Sequence, residues 1–194
     1  MHKIPANLEN PIDNIIYYFV EILAPLFYKM GFTPNMITTI GNICTIISIY
    51  YFLKNKFKFA AIFFFLSYFF DCLDGYVARS YNMISEFGDF YDHISDAIKS
   101  LSFLLLFILK SKKFAIIIIP ILGILITLMG FHLANQEIYY GKPESSKTLQ
   151  LFISLTNAKT REEASNNMKI SKYFGCGTIV LIMTIIIALY KKSR

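Results

Sequence analysis

Charge is scarce in this chain. Only 16% of its 194 residues are Asp, Glu, Lys or Arg, while 55% are hydrophobic and 16% aromatic, a balance that excludes an ordinary soluble domain of this length. Cysteine is scarce as well. Cys44, Cys72 and Cys176 are odd in number, scattered and set in apolar runs, which argues against a disulfide framework or thiolate ligands and fits small buried hydrophobes. No basic stretch interleaved with stacking aromatics occurs in a polar segment, so nucleic acid is not an expected partner. The net charge of +6 instead fits basic loops against anionic lipid. Glu9, Pro11 and Asp13 precede the first apolar run and no small-residue cleavage site follows it, so insertion is expected to rest on the spans themselves rather than on a secretory signal. There is no internal repeat.

What is abundant is long apolar sequence. Residues 33–53, 114–134 and 173–190 contain no Asp, Glu, Lys or Arg, and each is close to the roughly 20 residues that cross a bilayer as a helix. The first opens with Thr33, Pro34 and Asn35, where threonine suits the N-cap and proline the first helical position, whose N–H would lack a partner anyway. Residues 59–70 and 97–109 are apolar but too short to cross alone. If each spans, its helix must continue into acidic sequence, with carboxylates facing the protein interior or a wet cavity. A turn at 80–86 would then bring the two acidic ends to one side. Residues 13–29 place Asp13, Asn14, Glu21, Pro25 and Lys29 on one side of a helix and most of the apolar residues away from it, a pattern of a helix lying in the interface, with a true span as the alternative. Residues 136–172 read as a polar loop, with only 149–155 apolar inside it. The expected fold is an all-α integral membrane protein of about six transmembrane helices with an N-terminal amphipathic interfacial helix. Basic residues flank several loops, including 54–58, 110–113 and 191–194, so the positive-inside rule assigns no orientation.

The acids are unevenly spread. Asp71, Asp74, Glu86, Asp89, Asp92 and Asp96 fall within one window in which Arg79 is the only Lys or Arg, leaving net −5 there and +11 elsewhere. Such a charge well in an apolar protein demands a cation. On a helix, Asp71, Asp74, Gly75 and Ala78 share an arc of about 100°, so two carboxylates and two positions with little side chain lie on one face. Asp92 and Asp96 are one turn apart on the next helix, with Asp89 on the same face. Carboxylates converging from two antiparallel helix ends suit hard divalent cations, Mg²⁺ or Mn²⁺, as two ions with positions open to phosphate. Gly75 and Ala78 would let a nucleotide approach the backbone, and Arg79 offers a planar fork for phosphate. Glu86 and Asp89 also suit a helix first turn on dipole grounds alone, and Gly88 suits a turn or close helix packing.

The spacing Asp71-x-x-Asp74-Gly75-x-x-Ala78-Arg79-x8-Gly88-x3-Asp92-x3-Asp96 resembles, at every fixed position, the signature of the CDP-alcohol phosphotransferase family, and Thr33-Pro34-Asn35-x-Ile37-Thr38 looks like that family's approach to its first span. The likeness is strongest over residues 33–110, which would be the catalytic core, with 1–32 as the interfacial helix region and 111–194 as the remaining spans, all in one membrane-embedded domain. The resemblance implies transfer of a phosphatidyl or phospho-alcohol group from a CDP-linked lipid or CDP-amino alcohol to an alcohol or diacylglycerol, with release of CMP. It also implies a multi-pass homodimer with its site toward the cytosol. By position it implies Asp71, Asp74, Asp92 and Asp96 as metal ligands or neighbours, Asp96 as general base, and Gly75, Ala78, Arg79 and Gly88 beside CDP. Asn35, Thr38, His93 and His132 are further candidate contacts to donor or acceptor. Ala97 stands where relatives that accept inositol or phosphorylated alcohols commonly carry Arg or Lys, although Lys99 is less than a turn away, and His93 resembles the choline and ethanolamine transferases. Asn135 and Gln136 stand with His132 as residues that could reach a headgroup, and His132 equally suits an interhelical hydrogen bond. Two other classes share some of these features: a prenyltransferase handling Mg²⁺-pyrophosphate, which typically needs two separate acidic motifs, and a cation channel or transporter with an acid-lined path, which gains nothing evident from Arg79 and the Gly75/Ala78 face.

Overall fold

A computed structural model describes residues 3–141 and 149–190. His2, expected as an exposed tail residue, the polar run at 142–147 and the basic residues at 191–194 lie outside the described residues. Eight α-helices appear in order among those described: α1 Pro11–Lys29, α2 Pro34–Leu53, α3 Phe57–Ser80, α4 Glu86–Lys110, α5 Lys112–Tyr140, α6 Gln150–Leu155, α7 Arg161–Ser171 and α8 Cys176–Leu189. No strand occurs among the described residues.

Four helical runs are long and apolar enough to cross a membrane: Pro34–Leu53, Phe57–Ser80, Lys112–Tyr140 and Arg161–Leu189. The expectation of about six is therefore met by four on length and composition among the described residues. The 25 residues of α4 would reach about 37 Å at 1.5 Å per residue, more than the roughly 30 Å hydrocarbon core. Its first 14 residues, however, carry Glu86, Asp89, Asp92, Asp96 and Lys99. The 173–190 stretch expected as one span begins as α-helix only at Cys176, after a 3₁₀ turn at Lys172–Phe174 and an extended Gly175. The supposed polar loop at 136–172 also needs correction. It contains the end of α5, then α6 and α7, and α7 starts on a capping box in which Thr160 accepts from the Glu163 backbone while the Glu163 carboxylate accepts from the Thr160 backbone. That reciprocal satisfaction of end groups lets a polar segment start as a helix.

The described chain forms two compact units. One holds residues 16–119 and 180–190, the other residues 3–15, 120–141 and 149–179.

In the first unit, α2 and α3 form an antiparallel hairpin whose turn uses Asn55 at φ 59°. Small residues let the backbones approach. The Ser48 hydroxyl donates to the Ala60 carbonyl at 2.6 Å, and a methyl at Gly41 would sit 3.2 Å from the Ser67 carbonyl oxygen, the small-residue packing expected where lipid supplies no hydrophobic drive between helices. Thr33 caps α2 by accepting from Met36 N at 3.3 Å. From α3 to α4 the chain turns through Asn82, at φ 54°, and Ser85 caps α4 by accepting from Gly88 N at 3.0 Å. Aromatic rings close the other end, where Phe52, Phe57, Phe107 and Phe114 surround Tyr190. The α1 residues of this unit bury Ile16, Val20 and Ala24 and expose Tyr18, Phe19, Ile22 and Leu26.

The second unit is held by a buried polar network. Asn10 Nδ2 donates to the Lys172 carbonyl at 2.6 Å and to Thr178 Oγ1 at 2.7 Å. Asp13, expected on the polar side of an interfacial helix, is buried and accepts from Gly177 N at 3.2 Å. Its carboxylate is drawn inward because Gly177 has no Cβ, which would stand 2.2 Å from Asp13 Oδ1. Cys44 and Cys72 are buried and Cys176 is half-buried, and none of the three forms a disulfide, in keeping with their apolar settings.

Candidate active site

Asp71 and Asp74 lie in the last three turns of α3, and Asp92 and Asp96 lie in the first three of α4. Because the connection at 81–85 is short, these helix ends are neighbours. One carboxylate oxygen each from Asp71, Asp92 and Asp96 lies within 4.8 Å of the others. Asp74 is only 4% exposed and accepts a hydrogen bond from the Thr38 hydroxyl of α2. The fourth aspartate therefore stands one turn along α3 from Asp71 with its carboxylate engaged by α2, and the three-oxygen cluster is formed by the other three.

Helix α2 acts as the jig for both acidic helices. Besides Thr38, its Asn42 Nδ2 donates to Ser95 Oγ at 2.9 Å and to Tyr91 Oη at 3.1 Å. Ser95 and Tyr91 flank Asp92 and Asp96 on α4, so the register of the α4 acids is set by hydrogen bonds to a helix that carries none of them. Lys99 is the cation among the carboxylates. It is 9% exposed, its ammonium donates to Asp96 Oδ1 at 2.8 Å, and it lies 3.7 Å from Asp71 Oδ1. Sequence reading placed Lys99 near the acids only as a neighbour of Ala97. The signal was available, since residues three apart on a helix face one another.

The structure offers its own test of whether a divalent metal suits this cluster. Asp92 Oδ1 is buried without a hydrogen-bond partner, a cost of about 1–3 kcal/mol unless something else satisfies it. The donors are all carboxylate oxygens, the set that hard cations prefer. Oxygens bound to a single Mg²⁺ lie about 3–4 Å apart, from bond lengths of about 2.1 Å, so small side-chain rotations would bring the trio onto an ion. The residues present fit a divalent cation.

Beside the acids is a cleft of about 150 Å³, lined among others by Asn35, Thr38, Asp74, Gly75, Ala78, Arg79, Gly88 and Asp92. The structure thus brings together the residues that sequence reading assigned to nucleotide contact. A methyl at Gly88 would meet Ser85 Oγ at 2.9 Å and Asn35 Oδ1 at 3.0 Å, and one at Gly75 would meet the Arg79 guanidinium at 3.1 Å. Both positions are tight, and Gly88 more so, because its neighbours are a helix cap and a short amide rather than a long flexible chain. Arg79 also donates to the Tyr17 hydroxyl of α1 at 3.5 Å, a contact with no local sequence signal.

Two candidates stand elsewhere. His93 is exposed, and its Nδ1 donates to the Asp89 backbone carbonyl at 2.7 Å. His132 belongs to the second unit and is 1% exposed. Its Nε2 accepts from Gln136 Nε2 at 3.0 Å, and its Nδ1 pairs with Ser171 Oγ at 3.1 Å. Asn135 Oδ1 accepts from Asn167 at 3.1 Å. The Ser171 and Asn167 contacts join α5 to α7 within that unit.

A family model for CDP-alcohol phosphatidyltransferase matches residues 32–192. The chain belongs to that family. That family comprises membrane enzymes of lipid synthesis that use divalent metal ions. Among known proteins it is similar to an archaetidylinositol phosphate synthase of Pyrococcus horikoshii, with 30% identity over 104 residues, 54% of this chain and 51% of that protein. The chain spans about half the length of that curated relative. No solved structure matches it.

Proposed function

We propose that this CDP-alcohol phosphatidyltransferase family member moves a phosphatidyl or phospho-alcohol group from a CDP-linked donor to the hydroxyl of an alcohol and releases CMP. The observation that carries the reading is the placement of an oxygen-only carboxylate trio on α3 and α4 beside a cleft lined by Gly75, Ala78, Arg79 and Gly88. A divalent ion held by Asp71, Asp92 and Asp96, with Asp74 beside them, would neutralise pyrophosphate and the charge developing on CMP. Gly75 and Ala78 leave the α3 backbone open to the nucleotide, and Arg79 supplies a planar pair of donors for phosphate. Asp96 accepts the acceptor's hydroxyl proton. In this arrangement one carboxylate cluster serves donor and acceptor alike.

The acceptor is an alcohol, and inositol phosphate is the first to test, because the relative is named for making archaetidylinositol phosphate. The decisive assay offers the purified chain CDP-diacylglycerol or its ether-linked counterpart with inositol phosphate, inositol, serine or glycerol phosphate. Separate reactions offer CDP-choline or CDP-ethanolamine with diacylglycerol. CMP release that requires Mg²⁺ or Mn²⁺ and stops with chelator is the expected result. Metal-independent turnover, or none with any pair, would overturn the proposal.

A further inference from the structure

We propose that Lys99 is a tethered counter-cation: its ammonium takes, between Asp71 and Asp96, the place a divalent ion needs, and the ion binds only as the ammonium withdraws. The inference rests on the metal reading of the acidic cluster. Its ground is geometric. Lys99 Nζ lies 2.8 Å from Asp96 Oδ1 and 3.7 Å from Asp71 Oδ1, and both residues contribute an oxygen to the trio within 4.8 Å. It therefore bridges the two acidic helices on carboxylates that each give an oxygen to the trio. An ion bonded to Asp96 Oδ1 at about 2.1 Å would be no more than about 5 Å from that nitrogen, and like charges that close in a half-buried site repel.

The arrangement has two consequences. Without metal, carboxylates crowded on α3 and α4 would push the helix ends apart, and Lys99 holds them together. With metal, the same ammonium opposes the incoming charge, so it lowers affinity and keeps the ion exchangeable. Lys99 is thus a positioning residue whose presence sets how tightly the site holds its metal. A lysine long enough to withdraw along its aliphatic stem suits this role better than a fixed group, since the stem can move while the helix stays in place.

The test compares the full chain with Lys99→Met, Lys99→Gln and Lys99→Arg in detergent, using Mn²⁺ alone as the probe. Direct titration by electron paramagnetic resonance is expected to show Lys99→Met and Lys99→Gln binding Mn²⁺ at least about tenfold more tightly than wild type, with Lys99→Arg close to wild type. In chelator the two neutral variants are expected to melt about 4 °C or more below wild type, and the gap closes at saturating Mn²⁺. Unchanged or weaker Mn²⁺ binding in both neutral variants overturns the proposal, as does a melting deficit that persists with metal. If wild type binds no Mn²⁺, the inference falls together with the metal reading. Intact Mn²⁺ binding and displacement without CMP release would overturn the reaction alone and leave this inference standing.

Discussion

Two polar clusters sit among apolar helices in this protein, and they satisfy their polar atoms in opposite ways. In the second unit, Asn10, Asp13, His132, Asn135 and Gln136 are buried, and each engages a defined protein partner: a backbone carbonyl, a backbone amide, a serine hydroxyl, an imidazole or an amide side chain. In the first unit, Asp71, Asp92 and Asp96 turn toward one another, a lysine is wedged among them, and one Asp92 oxygen is left without a hydrogen-bond donor. A satisfied network adds specificity and rigidity to a membrane fold. A surplus of negative charge with an orphaned oxygen costs stability, and clusters of that kind are retained where a ligand completes them. Buried polarity by itself does not mark a site; the balance of donors and acceptors does.

Substitutions can break this contrast. The largest effect is expected from Asp96→Asn, which should lower CMP release by about 10²–10⁴ while leaving the melting temperature in chelator unchanged or higher, because one like charge leaves the cluster. Wild-type turnover in that variant would remove Asp96 from the reaction. Next comes Asn10→Ala, which strands the Lys172 carbonyl and Thr178 hydroxyl and should cost about 2–3 kcal/mol, read as a fall in melting temperature with turnover per folded molecule retained. A loss of turnover without loss of stability would erase the distinction between the clusters. Gly88→Ala is expected to cost about 1–2 kcal/mol by disturbing the Ser85 cap and to raise KM for the CDP donor, since the new methyl points at Asn35 in the cleft. The smallest effect is expected from Thr160→Ala. It removes an exposed capping box on α7, for about 1 kcal/mol in thermal melting and no change in Mn²⁺ affinity.

Much of the site was legible because the family signature lies in one continuous stretch. Asp71 through Arg79 share a helix face by periodicity, and the turn after Ser80 returns the chain to Gly88, Asp92 and Asp96. The Thr33 cap and the continuation of α3 through its acids followed from local rules. The sequence did not reveal the support. Thr38 on Asp74 and Asn42 on Ser95 depend on how α2 packs, and those partners are 36 and 53 residues apart. The polar segment after α5 was read as a loop because its composition hid the Thr160 and Glu163 capping pair. Asp13 was placed on the polar side of an interfacial helix because helical periodicity cannot register that Gly177 has no Cβ to exclude it.

The sequence alone determined an all-α membrane protein, the stretch that bears its carboxylates, and the pairing of two helix ends by a turn too short to part them. Periodicity, hydropathy and chain connectivity are local properties, and each is readable residue by residue. Only the tertiary structure decided that Asp71, Asp92 and Asp96 form the trio while Asp74 turns to Thr38, that Lys99 sits between two ligand candidates, and that His132 is spent on Ser171 and Gln136. Those outcomes depend on helix packing and on which acceptor each donor reaches first, and spacing along a single chain does not encode them.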